Sequence, residues 1–314
     1  MSSLGELRTL ARNARRGGAK DTSRFPDNKA GYAFIAPWLV GILVFTIGPM
    51  LYSLYLAFTN YNLLQPPSWT GTANFVQMFH DPRLWNSLKV TLIYVGVGVP
   101  LQLALALGLA ILLDRGMRGL GFYRSIFYLP SLLGGSVAVA ILWAQVFGKN
   151  GLLNSFLALF GVHNAPGWVS DPNFALSTLI VLHIWTFGSP MVIFLAGLRQ
   201  IPDMYYEAAQ MDGAGTTRRF FSITFPLLTP IIFFNLVLQV IFAFQSFTQA
   251  YIVSGGTGGP SDSTMFFTLY LYQQAFTQLH MGYASAMAWF LLVIIGGLTA
   301  LNFWLSRFWV FYDD

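Results

Sequence analysis

Six long apolar runs, near residues 32–58, 86–113, 122–147, 174–197, 226–250 and 281–311, constrain this chain more than any other feature. Each exceeds the roughly 20 residues that an α-helix needs to cross the hydrocarbon core of a bilayer. Backbone amides in hydrocarbon have no water to bond, so a run of this length satisfies them within itself as a helix, and open strands are excluded. The pattern predicts an all-α integral membrane protein with six transmembrane helices. Composition agrees: 55% of residues are hydrophobic and 9% are charged, about a third of the charged share that coats a soluble domain. Pro37, Pro49, Pro100, Pro130 and Pro190 lie inside the runs and predict kinks at those turns.

Residues 1–31 form a basic arm carrying Arg8, Arg12, Arg15, Arg16, Lys20, Arg24 and Lys29, and read as a disordered cytoplasmic segment ahead of a membrane domain over 32–314. The first apolar run is longer than the h-region of a signal peptide, about 7 to 15 residues, and is expected to stay in the membrane. With the N-terminus inside, the inner segments also carry Arg115, Arg118, Arg124, Arg199, Arg218, Arg219 and Arg307, while the outer side receives only Arg83, Lys89 and Lys149. This asymmetry follows the positive-inside rule and places both termini and the polar segment around Glu207 in the cytoplasm. The connection from Ser254 to Gln278 has no basic residue and is expected outside. Its run Gly255-Gly256-Thr257-Gly258-Gly259-Pro260 lacks the Lys and Ser or Thr of a phosphate-binding loop and reads as a flexible external turn.

Several functions are disfavoured by residue type alone. The absence of cysteine excludes disulfides, thiolate metal sites and a cysteine nucleophile, and the four histidines lack metal-ligand spacing. The net charge of +5 sits beside the spans, without the basic, aromatic-interleaved stretches of a nucleic-acid surface. An integral membrane enzyme would need an acid/base or metal constellation at a membrane boundary, and Asp114 with Arg115 reads instead as a helix end. A secondary transporter would show inverted repeats and intramembrane coupling carboxylates, and neither is visible.

The polar segment between the fourth and fifth runs carries the mechanism. Pro202 suits the start of a short helix, and Asp203 and Glu207 place negative charge in its opening turns, where the helix dipole favours it. A short amphipathic helix over about 202–212 follows. Ala208 and Ala209 keep one side slim, Gly213 permits a sharp reversal, and Pro226 and Pro230 mark the start of the fifth span. Taken singly, these features also fit an ordinary loop helix.

Taken together, Glu207-Ala208-Ala209-Gln210-Met211-Asp212-Gly213, then Ala214, Ile223 and Phe225-Pro226, resemble the EAA signature of permease subunits in ABC importers. The chain is similar, from about Tyr32 to Asp314, to the carbohydrate-uptake branch of maltose or sn-glycerol-3-phosphate type. Matching stretches include Asp81-Pro82, Leu101-Gln102-Leu103, Phe127-Tyr128-Leu129-Pro130, Gly258-Gly259-Pro260 and Met281-Gly282-Tyr283-Ala284. Phe225 stands where the family usually has leucine, and the extra N-terminal spans and large external domain of the longest members are missing. The resemblance implies a type I ABC importer permease fold in a prokaryotic inner membrane. It makes Glu207, Ala208, Ala209, Asp212, Gly213, Ala214, Ile223 and Pro226 the ATPase-coupling residues, with a coupling helix over about 202–214. It also implies a second homologous permease, two cytoplasmic ATPase subunits and an extracytoplasmic sugar-binding protein. The chain itself would be non-catalytic and hold no cofactor, with ATP and Mg bound by the ATPase subunits. The ending from Arg307 to Tyr312 resembles the first permease of the maltose pathway, which implies a heterodimer.

In the fifth run, Asn235, Gln239, Ser246 and Gln249 recur on one helical face, with Gln245 one position off it. Amides in hydrocarbon need partners, so these face either a sugar path or a neighbouring helix. Trp185, Tyr251, Ser189 and Trp289 are further candidates for that path. No Lys or Arg lies deep in the spans, which favours a neutral di- or oligosaccharide over a glycerol-phosphate-type solute. His183 is the ionisable group nearest mid-membrane and fits a helix-to-helix donor or a proton relay. Gly282 with Ala286, and Gly296 with Ala300, give small-residue faces for packing either within the chain or between subunits.

Overall fold

The computed structural model describes residues 28–114 and 119–311. The basic arm up to residue 27, together with Arg115 and Arg118, lies outside the described residues. The chain divides into two compact units, Met1–Ser53 and Leu54–Asp314. In the first, helix α1 (Asn28–Ile42) passes through a π-helical turn (Leu43–Ile47) into α2 (Gly48–Ala57). The turn ends two residues before Pro49. Proline clashes with the carbonyl four residues back, and a wider turn accommodates it without breaking the helix.

The second unit takes in the last turn of α2 and then a short antiparallel pair, β1 (Thr59–Asn60) and β2 (Ser68–Trp69), in register Thr59 with Trp69. Asn74, on α3 (Ala73–Phe79), donates to the carbonyls of Ala57 and Thr59 and holds this corner. The central element is α4 (Pro82–Asp114), which packs against α8 (Ala175–Trp185), α9 (Gly188–Leu198), α12 (Phe225–Phe244) and α14 (Phe267–Tyr272). Its buried face runs through Leu84, Tyr94, Val99, Ala106, Ala110 and Leu113. Asp81 caps it: one carboxylate oxygen accepts from the amides of Arg83 and Leu84 at 2.9 and 3.2 Å, and Pro82 fills the first helical position. Such a cap satisfies donors that the helix itself leaves free.

The expected third span is not one rod. It consists of α5 (Leu120–Leu133) and α6 (Val137–Val146), bent by 95° across Gly134–Ser136. Pro130 does not mark the bend. The break follows the glycine pair, and the Ser136 hydroxyl caps α6 by accepting from the Val139 amide. Among the described residues five helical stretches are long and apolar enough to span, and the bent pair makes six. Pro100 sits inside the continuous α4, and Pro190 falls in the first turn of α9, where its missing N–H costs nothing. The fifth helix begins at α11 (Thr216–Arg219), ten residues before Pro226. It passes a second π-helical turn (Phe220–Thr224), which again ends two residues ahead of a proline.

Beyond the glycine run 255–260, the connection 254–278 is packed into the core. Met265, Phe266, Phe267 and Leu269 on it are fully buried. Asp262 takes both guanidinium contacts of Arg83 at 2.8 Å, and the second Asp81 oxygen accepts from the hydroxyls of Tyr270 and Tyr283 at 2.6 and 2.7 Å. Burial pushes the Asp81 carboxyl up, but these hydroxyls and the two cap amides outweigh it and hold it below its ordinary value. Helix α15 (Met281–Ser306) closes the bundle. A Cβ at Gly282 would collide with the Thr59 carbonyl, and Ala286 is fully buried, so this small-residue face packs within the chain. The Gly296 position has nothing within 4 Å, and Ala300 is exposed.

Candidate functional site

Helix α10 (Asp203–Met211) forms where the polar segment predicts it. Pro202 precedes it in an extended conformation with φ −62° and ψ 134°, and Asp203 occupies the first turn. Its far end explains the spacing of the signature. The Ala214 amide donates to the Ala209 carbonyl at 2.9 Å and the Gly213 amide to the Gln210 carbonyl at 3.0 Å, with Gly213 at φ +72°. This is a Schellman cap, which needs a left-handed residue just past the helix end. The glycine four positions after the last alanine is that residue. The Tyr206 hydroxyl meets the Thr224 hydroxyl at 2.9 Å and fixes α10 to the π-helical turn that carries Ile223, just ahead of Pro226. Glu207, Ala208, Asp212 and Gly213 are exposed and Ala209 and Ala214 half-buried. Met204 and Met211 stand 67% and 89% exposed on the same short element. A cleft of about 430 Å³, lined among others by Ile111, Asp114, Tyr206 and Arg219, lies between α10 and the end of α4, where Asp114 pairs with Arg199 at 3.5 Å.

A second feature lies midway along α4. Three spans are broken, at Gly134–Ser136, at Thr186–Phe187 and at Gln245–Phe247, and residues from all three breaks line one cavity of about 410 Å³. Irregular backbone at membrane depth persists only where protein satisfies it or where it lines a cavity. Here Gln102 of α4 does the former: its amide donates to the carbonyls of His183 and Thr186 at 3.1 Å each and to the Thr186 hydroxyl at 3.0 Å. Ser131 donates to the Thr186 carbonyl and accepts from the Ser189 amide. Gly188 brings α9 so close to α5 that a Cβ there would meet the Phe127 carbonyl. The Gln249 amide donates to the Gly134 carbonyl at 3.0 Å and ties two of the breaks together.

Gln239, Gln245, Ser246 and Gln249 all line this cavity, with His183, Tyr94, Ser131 and Thr186 opposite, and no acidic or basic side chain other than His183 among the lining. The His183 Nε2 has no protein partner. Five other sequence candidates, Asn235, Trp185, Tyr251, Ser189 and Trp289, do not line the cavity. Asn235 is fully buried and donates to the Ile231 carbonyl of its own helix. Trp185 packs at a tilt against Trp143, with ring centroids 5.7 Å apart, and Tyr251 packs against Phe247 and Tyr272. The single-face argument assumed a continuous helix. Asn235 lies one turn before Gln239 on the uninterrupted α12 and falls short of the cavity, whereas Gln245, at the break between α12 and α13 (Thr248–Val253), lines it. Gln102 and Ser131 were not singled out from the sequence as site residues. The signal for Gln102 was present, since it is the lone amide in the apolar run 90–113.

Residues 86–309 match the family described as binding-protein-dependent transport system inner membrane component. The chain belongs to this family. It is 53% identical over 296 residues to the Probable ABC transporter permease protein YesP of Bacillus subtilis (strain 168), covering 94% of this chain and 96% of that one. It is 33% identical over 282 residues to the lactose transport system permease protein LacF of Rhizobium radiobacter, covering 88% and 94%. Among solved structures, a bacterial alginate ABC transporter in complex with an alginate pentasaccharide-bound periplasmic protein has the same fold, with TM-score 0.74 at 22% identity over 88% of this chain and 93% of that one. This permease is thus an all-α membrane subunit of the ABC importer type, with the expected spans formed from named helices.

Proposed function

We propose that this permease forms half of the translocation path for a neutral di- or oligosaccharide, delivered by an extracytoplasmic binding protein and driven by two cytoplasmic ATPase subunits. The observation that carries this reading is the uncharged, amide-rich cavity where three broken spans meet. Gln239 and Gln245 offer paired donors and acceptors suited to sugar hydroxyls beside Gln249, which is held by the Gly134 carbonyl, and Tyr94, Phe242 and Phe247 offer aromatic surface suited to the apolar face of a sugar ring. The lining holds no Lys or Arg to balance a phosphate, which favours a sugar over a glycerol-phosphate-type solute. The lactose permease name of one relative and the pentasaccharide-bound partner of the solved neighbour support the same class.

In this reading the chain carries out no catalysis. ATP and Mg are bound by the ATPase subunits, and the capped helix α10 seats Glu207, Ala208, Ala209 and Gly213 in an ATPase cleft. Tyr206 and Thr224 pass its displacement to the fifth span, whose break lines the cavity. The distance from Ile111 to Tyr94 along α4 is about 25 Å at 1.5 Å per residue, so a rigid-body shift at one end reaches the other through packed helices. A second, homologous permease completes the cavity, and both termini lie in the cytoplasm of a prokaryotic cell. The test is uptake by proteoliposomes containing the affinity-purified complex. ATP-dependent uptake of a neutral oligosaccharide, with KM raised by Gln239→Ala and Gln245→Ala, is the expected result. Uptake driven by an ion gradient without ATP, or a preference for glycerol phosphate, refutes it.

A further inference from the structure

Much of the polar lining where the broken spans meet is already engaged by the protein. The Ser131 and Thr186 hydroxyls bond the second break, and the Gln249 side chain donates to the Gly134 carbonyl and accepts from the Ser246 hydroxyl. Gln239, Gln245, Thr248 and His183 remain, with side chains that make no hydrogen bond among the described residues. The first three belong to the fifth span. His183 belongs to the fourth, in the last turn of α8, the helix that follows the short connecting helix α7 (Leu152–Ala158). The role of helix-to-helix donor that the sequence allows it is not realised. Its backbone carbonyl accepts from the Gln102 amide and the Thr186 hydroxyl, while the ring Nε2 is enclosed and unpaired.

The imidazole nonetheless has a built seat. Tyr94, Gly98 and Gln102 of α4 follow one another at spacings of four, share one helical face, and are all buried. Gln102 holds the His183 carbonyl, and the Tyr94 ring packs at a tilt against the imidazole with centroids 5.1 Å apart. At Gly98 a Cβ would come within 3.0 Å of the ring Cδ2, so only glycine leaves the ring in place. The Cδ2 corner thus faces α4, and the covalent geometry of the ring turns the opposite edge, Nδ1 and Cε1, away from that helix. Buried polar groups ordinarily carry partners, and one that is packed into position yet left unpaired calls for a reason. We propose that His183 is a solute-binding residue, its Nδ1 edge taking a sugar hydroxyl from the wall of the cavity that faces Gln239 and Gln245. The inference rests on the sugar-path reading of this cavity and adds a ligand from a second span. A neutral imidazole has one donor and one acceptor nitrogen, and a hydroxyl can serve either. A sugar held by both the fourth and the fifth span is gripped only while the two keep their spacing, so movement of the fifth span relative to the fourth releases it.

The test is ATP-dependent uptake by proteoliposomes holding the affinity-purified complex and its binding protein. The probe is whichever neutral sugar the wild-type complex takes up best from a set of di- to pentasaccharides that includes lactose. His183→Leu should raise KM roughly three- to tenfold, the worth of one neutral hydrogen bond, with little change in kcat. His183→Asn, whose amide can occupy the place of Nδ1, should bring KM back toward the wild-type value, which a purely structural role would not predict. An unchanged KM in His183→Leu, or a lowered kcat at unchanged KM in both variants, overturns the assignment even where Gln239→Ala raises KM. Failure of Gln239→Ala to raise KM as well, or uptake of no neutral sugar, removes the reading of the cavity along with it. Should His183→Leu not assemble, imidazole nitrogen resonances of the histidine-labelled wild-type complex decide. The resonance that is absent from His183→Asn should move when the sugar is added, and a resonance that stays still overturns the proposal.

Discussion

Replacing Gly213 separates a conformational requirement from a steric one. The residue holds φ +72° in the Schellman cap, and a Cβ built on it has nothing within 4 Å. The cost of a side chain is thus backbone strain alone, about 1–2 kcal/mol for an ordinary L-residue in the left-handed region, a factor of roughly 5–30 in the local equilibrium. Asparagine visits that region readily because its side chain bonds locally. The expected order of cap stability is therefore Gly213, then Gly213→Asn, then Gly213→Ala, with the β-branched Gly213→Val last. Hydrogen exchange of the amides of Gly213 and Ala214 in the purified subunit, without ATPase, reads this directly, since both amides are protected only by the cap bonds. Exchange should rise on the order of tenfold in Gly213→Ala and far less in Gly213→Asn. Loss of ATPase co-purification should follow the same order. If Asn, the larger residue, proves as disruptive as Ala or more so in the isolated subunit, the cap argument is wrong and volume governs the site.

Gln102→Ala should lower the thermal stability of the purified subunit by about 1–3 kcal/mol, the cost of leaving buried carbonyls unpaired. The double variant with Ser131→Ala should be non-additive, because both side chains serve the Thr186 carbonyl; strict additivity in melts would show that they act separately. Asp81 gives a pH prediction. Its folded pKa lies below the ordinary 3.8, so the stability it contributes is fully present above that value and is lost as pH falls through the folded pKa. Melting temperature should be insensitive to Asp81 ionisation from pH 7 to about 5. Tyr270→Phe with Tyr283→Phe, by removing two donors, should move the acid loss to higher pH, and an unchanged acid limb would count against this role.

Much of the architecture was legible from local signals. Hydropathy located the spans, because a helix that crosses lipid satisfies its own backbone and needs no distant residue. The short helix α10 and its reversal were legible for the same reason: Pro202, Asp203, the alanines and Gly213 set a start, a body and a stop within about a dozen positions. The breaks were not. Prolines drew attention to Pro130 and Pro190, yet the chain opens at Gly134–Ser136, Thr186–Phe187 and Gln245–Phe247. An interrupted helix in a membrane is stable only where another segment receives its freed groups, and the receivers are remote. Gln102 reaches Thr186 across 84 positions and Gln249 reaches Gly134 across 115. Arg83 likewise finds Asp262 across 179, which turns a glycine-rich connection into packed core. By itself, then, the sequence determined what crosses the membrane and where the short helix α10 begins and ends, since those depend on neighbours in the chain. Which amides face the cavity, and which, like Asn235, turn back on their own helix, was decided by tertiary packing, because a buried polar group takes its role from whichever partner the fold brings within hydrogen-bonding distance.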